Sequence, residues 1–147
     1  MNKKSKSQVL STPAATPESA TDYFTAKGLY ETDVADVAFD LRAGMSGFKL
    51  IDVRDSRSYE EAHLPGALSI PSGRISPDTA LPPEDLLVLY CWGPGCNGAS
   101  KAAARLSAQG FRVKEMLGGI EYWRKEGGAL EGTLREQAPV YWSMSQN

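Results

Sequence analysis

The chain has 147 residues, 41% of them apolar and 23% charged, with a formal net charge of −2. That length holds one domain with a full core and falls short of two. A pI near 5.4 with no basic stripe argues against a nucleic-acid partner, and two cysteines are too few for a disulfide framework and suit a reducing compartment.

Lys3, Lys4 and Lys6 imitate the start of an export signal, but Ser7 to Thr16 contains no apolar stretch to follow it. No apolar run approaches the ~20 residues of a membrane span. A cytoplasmic chain with no membrane partner is expected. Residues 1–17, polar and carrying Pro13 and Pro17, read as a flexible tail. Residues 18–130 read as the domain, with 18–31 as a helical extension. In that extension Glu18 to Lys27 has helical character, Ala20, Tyr23 and Phe24 share a face, and Gly28 is the expected stop. Thr32 or Asp33 then caps a helix that ends at Gly44. Its apolar residues Val34, Val37, Ala38 and Leu41 recur at spacings of three and four, which makes one buried stripe.

Phe48 to Val53 reads as a strand, Ser56 as the cap of a short helix holding Glu60 and Glu61, and His63-Leu64-Pro65-Gly66 as a turn. Ala67 to Ile70 is a second strand, stopped by Pro71. Residues 71–85 contain Pro71, Pro77, Pro82 and Pro83 and form a loop with at most one helical turn. Leu86 to Tyr90 is nearly all apolar, as a central parallel strand buried on both faces requires. Gly98 to Gln109 is a helix closed by Gly110, Phe111 to Leu117 a strand, and Ile120 to Lys125 a short helix closed by Gly127-Gly128. Strands alternating with helices imply a parallel sheet with helices on both faces. Residues 131–147 form a tail whose Tyr141, Trp142 and Met144 are expected to pack on the domain.

The stretch most informative for chemistry runs from Leu86 through Cys91 to Lys101-Ala102-Ala103-Ala104-Arg105-Leu106. A strand that stops at Cys91 puts its sulfur at the carboxyl end of the sheet, where open α/β sheets bind ligands. The loop Trp92, Gly93, Pro94, Gly95, Cys96, Asn97 and Gly98 is made largely of small residues. Its backbone N–H groups can turn inward, and the helix start behind it adds positive potential. These conditions favour a thiolate, so the segment reads as a cysteine nucleophile acting on an anionic or sulfur-centred group.

Three motifs, in order, resemble those of the rhodanese-homology domains of single-domain sulfurtransferases. Leu50 to Asp55, Tyr59-Glu60 and His63 to Pro71 resemble the first signature, Val88-Leu89-Tyr90-Cys91 the nucleophile strand, and Leu117 to Trp123 the closing signature. The resemblance implies an α/β rhodanese-like fold with a parallel sheet of about five strands. It implies that Cys91 takes a sulfane sulfur from a donor, becomes a persulfide, and passes the sulfur to a thiol, a protein thiol or cyanide. Amides of Trp92 through Gly98 would cradle the charge. No cofactor and no metal is expected, since two cysteines and one histidine fall short of a zinc site without a carboxylate.

The loop departs from the family pattern. It is about two residues longer than in a typical single-domain member, and no arginine follows the nucleophile. In the longer-loop relatives, cell-cycle phosphatases and arsenate reductases, an arginine stands sixth after the cysteine; here Asn97 does. Phosphate and arsenate chemistry calls for a bidentate guanidinium, so a phosphatase or arsenate reductase is the weaker alternative. The same absence argues against efficient use of the dianion thiosulfate. A further alternative is a non-catalytic redox or interaction module that uses Cys91 and Cys96.

Cys96 admits two readings: a resolving thiol that attacks an oxidised or persulfidated Cys91, or a small loop residue facing away. His63, Asp52 and Arg54 read as structural, bonding backbone near the turn and the strand ends. Trp92 either lines the pocket mouth or covers the core. Lys101 and Arg105 read as solvated helix charges, and Trp123 as core. Whether the chain is a monomer or a homodimer stays open.

Overall fold

The computed structural model describes residues 4–81 and 85–142. In chain order the main elements are α1 (Pro17–Tyr30), β1 (Glu31–Asp33), α2 (Val34–Arg42), β2 (Phe48–Asp52) and α3 (Ser56–Glu61). They continue with β3 (Leu68–Ser69), β4 (Leu86–Tyr90), α4 (Gly98–Ala108), β5 (Val113–Leu117) and α5 (Gly119–Lys125). The strands form one sheet in the order β1-β5-β4-β2-β3, with every neighbouring pair parallel. This is the α/β class that the alternation of elements predicts.

The apolar run of β4 is explained by its place in the middle. Leu86 to Tyr90 pairs residue for residue with Phe48 to Asp52, and side chains alternate between faces. Val88 and Tyr90 join Leu50, Met116, Ile120 and Trp123 in one core layer. Leu87, Leu89 and Cys91 join Ile51, Ala102 and Leu106 in the other. Full burial of each such aliphatic chain is worth about 1.5–3 kcal/mol.

Asp33 caps α2 by accepting a hydrogen bond from the Asp36 N–H at 2.9 Å. Several boundaries differ from the sequence reading. Helix α1 runs through Gly28 to Tyr30, since a glycine can stay helical where the chain's own hydrogen bonds continue. Asp55, not Ser56, caps α3, accepting from the Ser58 N–H at 2.9 Å. Glu31, read as the end of the helical extension, and Thr32 and Asp33, read as candidate caps of the next helix, form edge strand β1 against Glu115–Leu117. Tyr23 and Phe24, read as sharing a face of this helix, are 61% and 66% exposed, and α1 buries none of its residues. The loop after β3 holds a single 3-10 turn at Ser72–Arg74. Lys3, Pro82, Pro83 and Met144 lie outside the described residues.

The topology creates the site. After β2 the chain leaves through α3, whose Tyr59 packs on the first core layer. After neighbouring β4 it leaves through α4, which packs on the second. Adjacent strands departing toward opposite faces open a crevice at their carboxyl ends, the topological switch point of an open α/β sheet. Asp52 ends β2 there, and Cys91 follows β4.

Candidate active site

Cys91 is 7% exposed and Cys96 half-buried, and both are free thiols. The loop between them folds back on itself. A turn spans Gly93 to Cys96, closed by the Cys96 N–H donating to the Gly93 carbonyl at 3.0 Å. Pro94 holds the second position of that turn, where its fixed φ is favoured. The turn brings the Cys96 sulfur to 2.7 Å from the Cys91 sulfur. Gly98, at the start of α4, completes the arrangement, because a Cβ there would lie 2.9 Å from Cys91 Sγ and 3.4 Å from Cys96 Sγ.

The closing signature anchors the loop from the other side. The Ile120 N–H donates to the Cys91 carbonyl at 3.1 Å and the Glu121 N–H to the Trp92 carbonyl at 2.8 Å. This close approach depends on Gly119, whose φ is +61° and whose missing Cβ would meet the backbone of Gly93 and Trp92 at 2.6–2.7 Å. The first amides of α5 thus hold the loop's carbonyls.

Two members of the expected anion cradle have no free N–H to offer, while the Trp92 backbone does bond to Cys91. Pro94 has no N–H, and the Cys96 N–H is engaged by Gly93. Burial, the hydrogen bond with the Cys96 thiol and the charge of that neighbour push the Cys91 thiol up to about 12, and the bond from the Trp92 backbone opposes them. In this closed arrangement burial and the neighbouring Cys96 therefore work against the thiolate that the sequence predicts at Cys91. Desolvation raises a thiol's pKa, and here it outweighs the loop's dipoles.

Asp52 and Arg54 are buried beside the loop. The Arg54 Nε donates to both Asp52 oxygens at 3.1 and 3.2 Å, and its Nη2 donates to Oδ2 at 2.7 Å and to the Ala62 carbonyl. Burial works against the guanidinium charge, but the Asp52 carboxylate more than offsets it and holds Arg54 above its ordinary value. Trp92 stacks on this pair, its ring 4.5 Å from Arg54 Cζ. The tryptophan therefore packs against both core layers and also borders the crevice. Nothing in the sequence announced the Trp92–Arg54 stack. His63 lies apart: its Nδ1 meets the Tyr59 carbonyl at 2.6 Å, its ring stacks on Tyr59, and its backbone bridges to Glu131.

Two hollows flank the loop. One of about 290 Å³ borders Cys91, Cys96, Glu115, Met116 and Gly118. The other, about 310 Å³, is framed by Trp92, Cys96, Asn97, Glu121, Tyr141 and Trp142. The segment leading to those last aromatics is tied down by Arg124, which donates to the carbonyls of Glu136 and Pro139, both at 2.9 Å. Among the described residues neither wall contains a lysine or arginine. Glu121 pairs with Lys125 at 3.2 Å and Glu115 accepts from Ser100 Oγ at 2.8 Å. Arg105, on α4, donates to the Ser72 carbonyl at 2.8 Å. Among the described residues no group of three or more His, Cys, Asp or Glu side chains is placed to hold a metal ion, and no helix is long and apolar enough to cross a membrane.

Comparison with known proteins agrees with this architecture. The family model for the rhodanese-like domain matches residues 37–126. The crystal structure of the BH2092 protein from Bacillus halodurans is 49% identical with a TM-score of 0.86, over 89% of this chain and 97% of that one. The HTH-type transcriptional regulator Rv0324 of Mycobacterium tuberculosis is 34% identical over 92 residues, 62% of this chain; the match spans only 39% of that protein. Thiosulfate sulfurtransferase GlpE of Pseudomonas savastanoi pv. phaseolicola is 35% identical over 80 residues, 53% of this chain and 74% of that one. With the family model covering more than half its length, the chain belongs to the rhodanese-like domain family.

Proposed function

We propose that the chain is a sulfurtransferase in which Cys91 carries a sulfane sulfur as a persulfide. The observation that carries this reading is the position of Cys91: it follows the central strand at the switch point and lines a hollow of about 290 Å³. The Cys91 sulfur attacks the outer sulfur of a donor persulfide. A new sulfur–sulfur bond forms, the donor's own bond breaks, and the thiol proton leaves with the departing thiolate. The thiolate is the attacking form, so Cys91 gives up its proton as it attacks and the departing thiolate takes one up. The loaded sulfur then passes to cyanide or a thiol by the same exchange. A reducing compartment such as the cytoplasm would keep both thiols free.

The donor class follows from the walls. Among the described residues two carboxylates, Glu115 and Glu121, and no lysine or arginine line the hollows; the nearby cations Lys125 and Arg54 are engaged by Glu121 and Asp52. A dianion such as thiosulfate is disfavoured there, whereas an alkyl persulfide brings less charge. The test is the intact mass of the chain carrying Cys96→Ser after incubation with a small alkyl persulfide. One added sulfur atom is expected, and it should discharge as thiocyanate when cyanide is added. If no adduct forms, or if one persists when Cys91 is also replaced by serine, the proposal is wrong.

A further inference from the structure

We infer that Cys96 resolves the Cys91 persulfide, releasing hydrosulfide and leaving a Cys91–Cys96 disulfide that an external thiol or dithiol reduces. The inference rests on the persulfide reading above and adds a second catalytic residue, a product and a class of co-substrate.

Four observations converge on it. The two sulfurs are 2.7 Å apart. The Gly93–Cys96 turn, with Pro94 in its second position, presents the half-buried second thiol to the first. Gly98 leaves out the one Cβ that would come between the two sulfurs and the start of α4. Finally, Cys91 and Cys96 both line the 290 Å³ hollow, which gives the pair a shared cavity where a sulfur carried on Cys91 can be accommodated.

The geometry also selects which sulfur is attacked. In the loaded state Cys91 Sγ is the inner sulfur of the persulfide, and Cys96 lies against that atom. Attack there forms the Sγ–Sγ bond and breaks the bond to the outer sulfur, which takes the electron pair. The outer sulfur also receives the proton that Cys96 gives up and departs as hydrosulfide. The sulfane sulfur is reduced by two electrons, and the two cysteine sulfurs together supply them. Charge balances, because a persulfide anion and a thiol become a disulfide and HS⁻. A thiol or dithiol reductant then restores both cysteines by ordinary exchange. The chain would thus release sulfide in the presence of a reductant, beyond handing sulfur to an acceptor.

The experiment uses the reduced full chain and a small alkyl persulfide without added reductant, reading sulfide release and intact mass. The wild type is expected to release about one sulfide per chain in a burst, to lose two hydrogens in mass, and to show a Cys91–Cys96 crosslink on peptide mapping. The chain with Cys96→Ser is expected to keep one added sulfur on Cys91 and to give no burst. A stable sulfur adduct on wild-type Cys91 with no crosslink would overturn the inference while leaving the sulfurtransferase reading intact. Mapping the added sulfur to Cys96 would also overturn it, since that outcome requires attack on the outer sulfur. Absence of an adduct from the Cys96→Ser chain, with neither adduct nor crosslink in the wild type, would instead remove the persulfide reading itself. The wild-type crosslink is read without any substitution, so a misfolded variant cannot decide the result.

Discussion

Replacing Gly119 with alanine tests whether the start of α5 holds the reactive loop. The residue sits at φ +61°, and the added Cβ would meet Gly93 N at 2.6 Å and the Trp92 carbonyl carbon and oxygen at 2.7 Å. All three are backbone atoms, so no side-chain rotation relieves the contact. The left-handed conformation costs alanine about 1–2 kcal/mol. Moving the loop away also weakens the bonds from the Ile120 and Glu121 N–H groups to the Cys91 and Trp92 carbonyls, each worth about 1 kcal/mol. The combined loss is about 3 kcal/mol, or about 10 °C in melting temperature for a domain of this size. The same displacement separates the two thiols, and a misplacement of ~1 Å costs about 100-fold in rate. Thermal unfolding followed by circular dichroism reads the first effect, and sulfide release from an alkyl persulfide the second. A melting temperature within about 2 °C of the wild type, with sulfide release unchanged, would refute the reasoning.

Further outcomes follow from the groups beneath the loop. Asp52→Ala leaves the Arg54 guanidinium buried without its carboxylate; a loss of about 3–5 kcal/mol in urea unfolding is expected, and an unchanged midpoint would contradict the pairing. Trp92→Ala removes the ring stacked on Arg54, and a loss of about 2 kcal/mol is expected from that contact in its desolvated setting; a smaller change than for an exposed tryptophan would contradict it. The Cys91 thiol ordinarily titrates at 9.0 and is held at about 12 in the fold. The folded chain therefore keeps this proton where the unfolded chain loses it. The stabilisation is complete below pH 9 and is lost as pH rises toward 12. Urea unfolding of the wild type should weaken more steeply across that window than that of Cys91→Ser; parallel profiles would show that Cys91 is not held protonated.

Much of the fold was legible because its main elements carry local signatures. The apolar run of β4 could only be a strand buried on both faces, and the spacing of Val34, Val37, Ala38 and Leu41 marks the packed face of α2. Strand β1 was not legible. Glu31-Thr32-Asp33 has no apolar alternation, and backbone pairing with Glu115–Leu117, more than eighty positions away, makes it a strand. The body of α1 was readable but its ends were not: Thr16 caps it and Pro17 holds its first position, both read as flexible tail, and Gly28 misled because glycine stops a helix only where the chain turns.

At the site, the place of Cys91 at a strand end could be read from sequence, but its protonation could not. That depends on how far the Gly93–Cys96 turn carries the second sulfur and on how deeply both are buried. The position of Trp92 depends likewise on Arg54, 38 positions earlier in the sequence, whose guanidinium offers the ring a cationic face.

The central claim is that Cys91 takes up a sulfane sulfur. The most direct measurement is the intact mass of the single-thiol chain, Cys96→Ser, after brief exposure to a small alkyl persulfide, with peptide mapping of the product. One sulfur atom bound at Cys91, removed by cyanide as thiocyanate, is the expected result. A chain whose mass does not change, or whose added sulfur maps elsewhere, would contradict the account.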